Sequence, residues 1–341
     1  MNSPQTAEPL RIGILGAARI TELALVSPAR ATGHRLVAVA ARDPRRAREF
    51  ADRHGLVKVH GSYDELIADR EVDVIYNPLP NALHAPWNQR AARAGKHVLS
   101  EKPSAANAED AARTAAVVDK SGVVFMEAFH YPYHPLFHRV EELLAQGAIG
   151  NLEHIDVSLT MPAPPDSDPR WSADLAGGST MDLGCYAISC VRLLSDFAGG
   201  APRIVGARAE ERAGRPGVDE RLYVDYEFPS GATATAGSDM AKEDGAFSLT
   251  IRGSGGEITL PMFAIPGSDD SLILRSDGEP ETVEHLGRRS SYTYQLEALA
   301  NAIRGGEPVL TDQHWAVEQA SAIDHAYRAA GMQPRRSLTS V

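Results

Sequence analysis

Cysteine is scarce: Cys185 and Cys190 are the two in 341 residues. Five positions apart in an apolar helical pattern, they suit neither a disulfide framework nor a Cys-x-x-Cys metal site, and a reducing cytoplasm is the expected setting. Long apolar runs are lacking, since no stretch approaches the roughly 20 residues of a membrane-spanning helix. Met1 to Pro9 has neither a basic start nor an apolar core, so it is expected to be a loose arm and no signal peptide. Positive charge is in deficit, with 34 Lys and Arg against 45 Asp and Glu and a net charge of -11. That balance opposes nucleic acid and anionic membranes as partners. Internal repeats and low-complexity tracts are absent.

What remains is a chain too long for one ordinary core, and two domains are expected, residues 1–128 and 129–341. In the first part apolar strand-like runs alternate with helical patterns. Strands are predicted at 10–15, 36–41, 57–60, 72–76, 96–100 and 123–127, with helices at 20–31, 45–54, 63–68, 85–94 and 108–121 between them. Regular alternation implies an α/β fold with a doubly wound parallel sheet. After residue 128 strands follow one another directly, at 153–161, 203–212, 221–228, 232–240, 247–252 and 257–260, so an open, mainly antiparallel sheet is expected. Helices at 134–146, 179–194, 292–304 and 313–330 frame it.

Gly16-Ala17-Ala18-Arg19-Ile20-Thr21 follows the first strand, where a dinucleotide fold needs a turn that brings a pyrophosphate close to backbone N–H groups. Only the first glycine of Gly-x-Gly-x-x-Gly is kept. The second strand ends in Ala41-Arg42-Asp43-Pro44-Arg45-Arg46, without the acid expected at its tip to hold the ribose diol of NAD. Arg42 would instead pair with a 2′-phosphate, helped by Arg45 or Arg46, which favours NADP over NAD. Asp43 has two readings, a helix cap or a ligand for a ribose hydroxyl. Pro78, Leu79, Asn81 and His84 belong to a rigid loop placed to cover the cofactor, although Asn81 would serve equally as a helix cap.

Glu101-Lys102-Pro103 stands at the end of another buried strand, where open parallel sheets bind ligands. Its lysine is placed to meet a nicotinamide ring. In the second part Arg170-Trp171 and the pair Asp182 and Tyr186 are the candidates. Four residues apart on a helix, a carboxylate and a phenol share one face and can meet a substrate hydroxyl together; the alternative is an acid at a helix start beside a half-buried tyrosine. His130, His134 and His138 recur every four residues, but Pro132 and Pro135 interrupt the stripe and no metal site is expected.

Gly16 to Thr21, Asn77 to His84, Glu101-Lys102-Pro103, Met126-Glu127-Ala128-Phe129, His134-Pro135 and Asp182-x-x-x-Tyr186 occur in an order that resembles the glucose–fructose oxidoreductase/inositol dehydrogenase/MocA family. The first half is particularly similar to its dimeric dihydrodiol dehydrogenase and NADP-linked xylose dehydrogenase branch. The resemblance implies a Rossmann domain followed by an α/β domain with an open sheet. It also implies that Lys102 hydrogen-bonds substrate and tunes the base, that Tyr186 is the acid/base, and that Asp182 orients substrate or base. Pro103 matches a proline often preceded by a cis bond, which would aim Lys102 inward. The inositol dehydrogenase branch carries His where Tyr186 stands, so an inositol substrate does not transfer simply.

The expected activity is reversible hydride transfer between NADP and a secondary alcohol or hemiacetal carbon of a sugar, polyol or cyclic diol. A phenol with a pKa near 10 needs a neighbouring cation to act as a base at neutral pH, and the Lys102 ammonium and the oxidised nicotinamide are expected to favour the phenolate. Two alternatives use the same fold: a glycosidase or lyase that retains its dinucleotide through a transient redox cycle, and a non-enzymatic NADP-dependent sensor. An exposed sheet face in the second domain calls for a homodimer or homotetramer.

Overall fold

The computed structural model describes residues 8–338; Met1 to Ala7, most of the expected arm, lie outside them. Six strands, β1 (Arg11–Leu15), β2 (Arg35–Ala40), β3 (Lys58–His60), β4 (Val74–Asn77), β5 (His97–Ser100) and β6 (Phe125–Glu127), form a parallel sheet in the order β3-β2-β1-β4-β5-β6. Ile12, Ile14, Val39, Val74, Ile75, Val98 and Leu99 are all essentially inaccessible to solvent. These near-continuous apolar runs are what a parallel sheet covered on both faces requires. The strand order reverses between β1 and β4, and in such sheets that switch point opens a crevice at the carboxyl ends of the strands.

Helices α1 (Ser27–Thr32), α2 (Pro44–His54), α3 (Tyr63–Ala68), α4 (Asn81–Arg93) and α5 (Ala108–Ser121) make the crossovers. Local chemistry sets their starts: the side chains of Asp43, Ser62 and Asn107 accept from the N–H groups of Arg45, Glu65 and Asp110. Two expected helices differ in detail. The first begins with a π-helical turn, Glu22–Val26, before α1. The helix expected from residue 85 starts at Asn81 and carries Pro86 inside it, where the ring removes the N–H that would reach Ala82 O.

The second sheet has eight strands, β7 (Leu152–Thr160), β8 (Arg203–Glu211), β9 (Asp219–Glu227), β10 (Thr233–Asp239), β11 (Ala246–Gly253), β12 (Gly256–Leu260), β13 (Ser271–Ser276) and β14 (Thr282–His285), in the order β14-β13-β12-β11-β7-β10-β9-β8. All neighbouring pairs are antiparallel except β7 with β10. The last two strands escaped the sequence reading, since β14 buries none of its residues and has no apolar face to betray it. In β9, Leu222, Val224 and Tyr226 point into the core while Tyr223 and Asp225 face outward, the alternation of a sheet covered on one side. Helices α6 (Pro135–Ala145) and α7 (Cys185–Leu193) belong to that core.

Helices α8 (Ser291–Gly305) and α9 (Gln313–Ala329) return to the first sheet. Leu296, Leu299 and Ala300 of α8 are buried with Ile12, Ile14 and Val39, and α9 packs along α5 while also meeting α7 and β8. The carboxyl ends of β4 and β5 therefore face the start of α7 across a crevice whose side wall is the start of α8.

Candidate active site

At the end of β1, Gly16 has φ +87°, a conformation that side chains with a Cβ avoid, and a Cβ there would meet Leu79 at 3.1 Å. The glycine N–H is tied to Ala40 O at 2.6 Å. Beyond it the N–H groups of Ala17, Ala18, Arg19 and Ile20 find no acceptor among the described residues, and the π-helical turn begins just after them. A tight turn of small residues with free N–H groups at a helix start fits a dinucleotide pyrophosphate.

At the end of β2 Asp43 caps α2: it accepts from Arg45 N at 2.9 Å and holds the Arg45 guanidinium at 3.1 Å. Arg46 is drawn to Ala17 O at 2.8 Å. Arg42 is exposed and its guanidinium makes no ion pair among the described residues. Of the three arginines, Arg45 is paired with a carboxylate, while Arg42 and Arg46 make no ion pair among the described residues.

The ends of β4 and β5 are joined by a buried polar lattice. Asn77 Nδ2 donates to Asn88 Oδ1 at 2.8 Å, Asn88 donates to Ser100 Oγ at 2.8 Å, and the Leu79 N–H reaches Asn77 Oδ1 at 3.3 Å. His84 lies inside this lattice, 2.7 Å from Pro103 O, and burial lowers its pKa to about 4. Glu101 turns inward to accept from Tyr76 Oη at 2.8 Å, with burial raising its pKa. Glu127, at the end of β6, accepts from the Ser104 N–H at 2.7 Å, and burial lifts its pKa to about 7. Asn81 reaches across the crevice to Ala176 O at 3.0 Å. The loop that carries Lys102 is thus held from both sides, and its Lys102–Pro103 bond is cis.

Lys102 crosses the crevice. Its Nζ donates to Asp182 O at 2.6 Å, lies 3.7 Å from Asp182 Oδ1, and sits 4.7 Å from the centroid of the Tyr186 ring. Arg170 Nε donates to the other carboxylate oxygen at 2.7 Å. Burial works against both charges, but Lys102 and Arg170 together hold the Asp182 carboxyl below its ordinary range. Lys102 in turn stays above its ordinary pKa despite burial, held up by Cys185, Asp182 and Glu101. The helix that bears Asp182 and Tyr186 is π-helical over Thr180–Gly184 and α-helical only from Cys185. Asp182 and Tyr186 still meet the same lysine.

Lys102 lies against the ring face of Tyr186, and the phenolic oxygen is 3.1 Å from His130 Nε2. Burial raises the pKa of Tyr186 well above its ordinary value. Trp171 is likewise a core residue, 1% exposed, its indole N–H donating to Pro164 O at 3.1 Å, while its neighbour Arg170 faces the crevice. Arg19 and Arg170 share Asp168, each at 3.4 Å, which links the first turn to the second half of the chain.

The sequence reading gave no role to His130, Tyr292, Asp168 or Glu127. Tyr292 stacks on His130 with ring centroids 3.7 Å apart, and its start-of-helix position gave no local sign of that. His130 had been grouped with His134 and His138, yet the three do different work. His134 caps α6 by accepting from the Leu136 N–H, and His138 pairs with Glu141 at 3.3 Å. Among the described residues no group of three His, Cys, Asp or Glu side chains is placed to hold a metal ion, and no helix is long and apolar enough to cross a membrane.

Two family descriptions match this chain: an oxidoreductase family with an NAD-binding Rossmann fold over residues 10–129, and the GFO/IDH/MocA C-terminal domain over residues 137–259. The chain belongs to the GFO/IDH/MocA oxidoreductase family. Among its relatives, the D-xylose 1-dehydrogenase (NADP(+)) 2 of Haloferax volcanii is 36% identical over 94% of this chain and 97% of its own length. The trans-1,2-dihydrobenzene-1,2-diol dehydrogenase of Xenopus laevis is 34% identical over 86% of this chain and 89% of its own. Among solved structures, KijD10, a 3-ketoreductase from Actinomadura kijaniata bound to NADP and TDP-benzene, superposes with a TM-score of 0.86 at 29% identity, covering 94% of this chain and 98% of that one. The GFO/IDH/MocA fold thus accounts for both sheets and for the crevice between them.

Proposed function

We propose that this protein is an NADP-dependent oxidoreductase that transfers a hydride between the dinucleotide and a secondary alcohol or hemiacetal carbon of a sugar, polyol or cyclic diol. The observation that carries the reading is Lys102, delivered from the end of β5 to within 2.6 Å of Asp182 O, 3.7 Å of its carboxylate and 4.7 Å of the Tyr186 ring centroid. NADP, when bound, supplies the hydride acceptor or donor. The residues at the turn Gly16 to Ile20 hold its pyrophosphate and Arg42 its 2′-phosphate, with Pro78, Leu79 and Asn81 as the loop above it. Names of relatives that act on xylose, dihydrodiols and TDP-linked sugars support both the cofactor and the substrate class.

In this reading Tyr186 takes the hydroxyl proton during oxidation and returns it during reduction. Lys102 hydrogen-bonds the substrate oxygen, and Asp182, itself clamped by Arg170, orients that lysine and the substrate. The same reading includes self-association: the outward face of the second sheet, with Tyr223, Asp225 and Thr235, is covered by a second copy in a homodimer or homotetramer. Both cysteines are buried free thiols, which suits a reducing compartment such as the cytoplasm.

The test is titration with NADP(H) and NAD(H), followed by reduced-nicotinamide absorbance while aldoses, inositols and cyclic diols are added. Tighter NADP binding and a substrate-dependent rise are expected. Binding with no net absorbance change for any substrate would shift the reading to a redox-retaining glycosidase or a sensor; no binding would remove the dinucleotide site altogether.

A further inference from the structure

The hydroxyl of Tyr186 ends a short buried chain. Its oxygen lies 3.1 Å from His130 Nε2, and the opposite ring nitrogen, Nδ1, lies 2.8 Å from Ser291 Oγ at the start of α8. Ser291 and His130 are 3% and 2% exposed. A buried hydroxyl proton must find an acceptor. Among the described residues, Ser291 Oγ has no hydrogen-bond partner other than His130 Nδ1, so its O–H donates into that nitrogen and Nδ1 carries no proton. Burial, with Lys102 and His134 nearby, keeps the imidazole uncharged, lowering its pKa to about 3. A neutral ring with a bare Nδ1 carries its proton on Nε2, which then donates to the Tyr186 oxygen. Stacking on Tyr292 at 3.7 Å holds the ring plane.

We propose that Ser291 and His130 are positioning residues that fix the direction of the hydrogen bond at Tyr186: serine donates to imidazole, imidazole donates to the phenolic oxygen, and the phenol O–H is turned away from His130, to the side where Tyr292 also hydrogen-bonds Tyr186. The proposal rests on the reading of Tyr186 as the acid/base. A donor aimed at the oxygen favours the phenolate, opposing the burial that disfavours it. Lys102 from the loop after β5, Glu101 from that strand's end, Tyr292 from α8 and Asp182 and Cys185 from Tyr186's own helix are the other titratable groups that face this oxygen. During oxidation the one proton that moves is the substrate hydroxyl proton, which passes to the Tyr186 phenolate; the Nε2 proton stays in place. His130 is thus the partner that sets which way the catalytic proton faces.

Nitrogen–proton multiple-bond NMR on protein labelled with nitrogen-15 histidine reads the tautomer directly, with the His130 signal assigned by its loss in His130→Gln. A neutral ring protonated at Nε2 is expected from about pH 6 to pH 9, with the preference weakened in Ser291→Ala. A ring protonated at Nδ1, or charged, overturns the proposal. In kinetics, His130→Leu should move the acidic limb of kcat/KM for oxidation upward by about one pH unit or more, with NADP affinity unchanged. His130→Gln, whose amide N–H can replace Nε2–H, should bring the limb back toward its native position. A loss equal at every pH, with the limb unmoved, contradicts the assignment. If the native protein turns over no substrate, NMR still decides the tautomer, and it is the dehydrogenase reading that fails.

Discussion

The carboxyl ends of β2 and β5 are two tips of one sheet, and they are built in opposite ways. At β2 the charges stand in water: Arg42 is exposed, and Asp43 and Arg45 satisfy each other. At β5 the charges are partly withdrawn from solvent and interlocked, with buried Glu101 on Tyr76, Lys102 on Asp182, and Arg170 closing the carboxylate from behind. Solvent screens the first set and leaves its members free to move, which suits recognition of a phosphate that arrives with its own charge. The second set is pre-ordered in a low-dielectric crevice, where each interaction is worth more and costs no rearrangement at the moment of reaction. Under the proposed function the difference separates cofactor choice from chemistry, one tip selecting the dinucleotide and the other acting on the substrate.

Breaking the β5 tip should have the largest effect. Lys102→Met should lower turnover by about 10³-fold while NADP affinity changes by less than about threefold. Asp182 keeps Arg170 as a partner, so the variant should fold, and circular dichroism with NADP titration checks that. Tyr186→Phe should lower turnover by about 10²- to 10³-fold, again with binding intact.

Glu127 sharpens the comparison through stability. Its folded pKa of about 7 lies above the ordinary 4.5, so the folded protein binds the extra proton. Its contribution is fully present below about pH 4.5 and is lost as pH rises through about 7. Glu127→Gln should therefore gain stability relative to the native protein above pH 7, by about 3 kcal/mol, and the gap should close on acidification; denaturant midpoints across pH measure it. An unchanged gap would mean that the carboxyl is not perturbed in the fold.

At the β2 tip the effects should be smaller. Arg42→Ala should weaken NADP binding about tenfold and leave NAD binding nearly unchanged, since one charge-assisted contact to a phosphate is lost. Asp43→Ala removes the cap of α2 and should cost about 1 kcal/mol of stability without altering turnover at saturating NADP.

Most of the first sheet was legible because its strands are short apolar runs punctuated by caps and glycines, the pattern that burial on both faces imposes. Lys102, Asp182 and Tyr186 were legible for a different reason, as residue types at spacings that resemble a known family. What the sequence hid is long-range and polar. His130 and Ser291 are 161 positions apart, and nothing local in either announces a hydrogen bond to the other. The π-helical turns before α1 and α7 were hidden too, because they share the residue preferences of ordinary helices. Strand β14 was invisible to periodicity because it has no buried face.

The most direct test compares native protein and Lys102→Met, both saturated with NADP and mixed with the best substrate of the panel, by reduced-nicotinamide absorbance in a single turnover. Native protein should show a rapid rise and the variant almost none, although both bind NADP equally. Equal rises in the two proteins would contradict the claim that the chemistry resides at the end of β5.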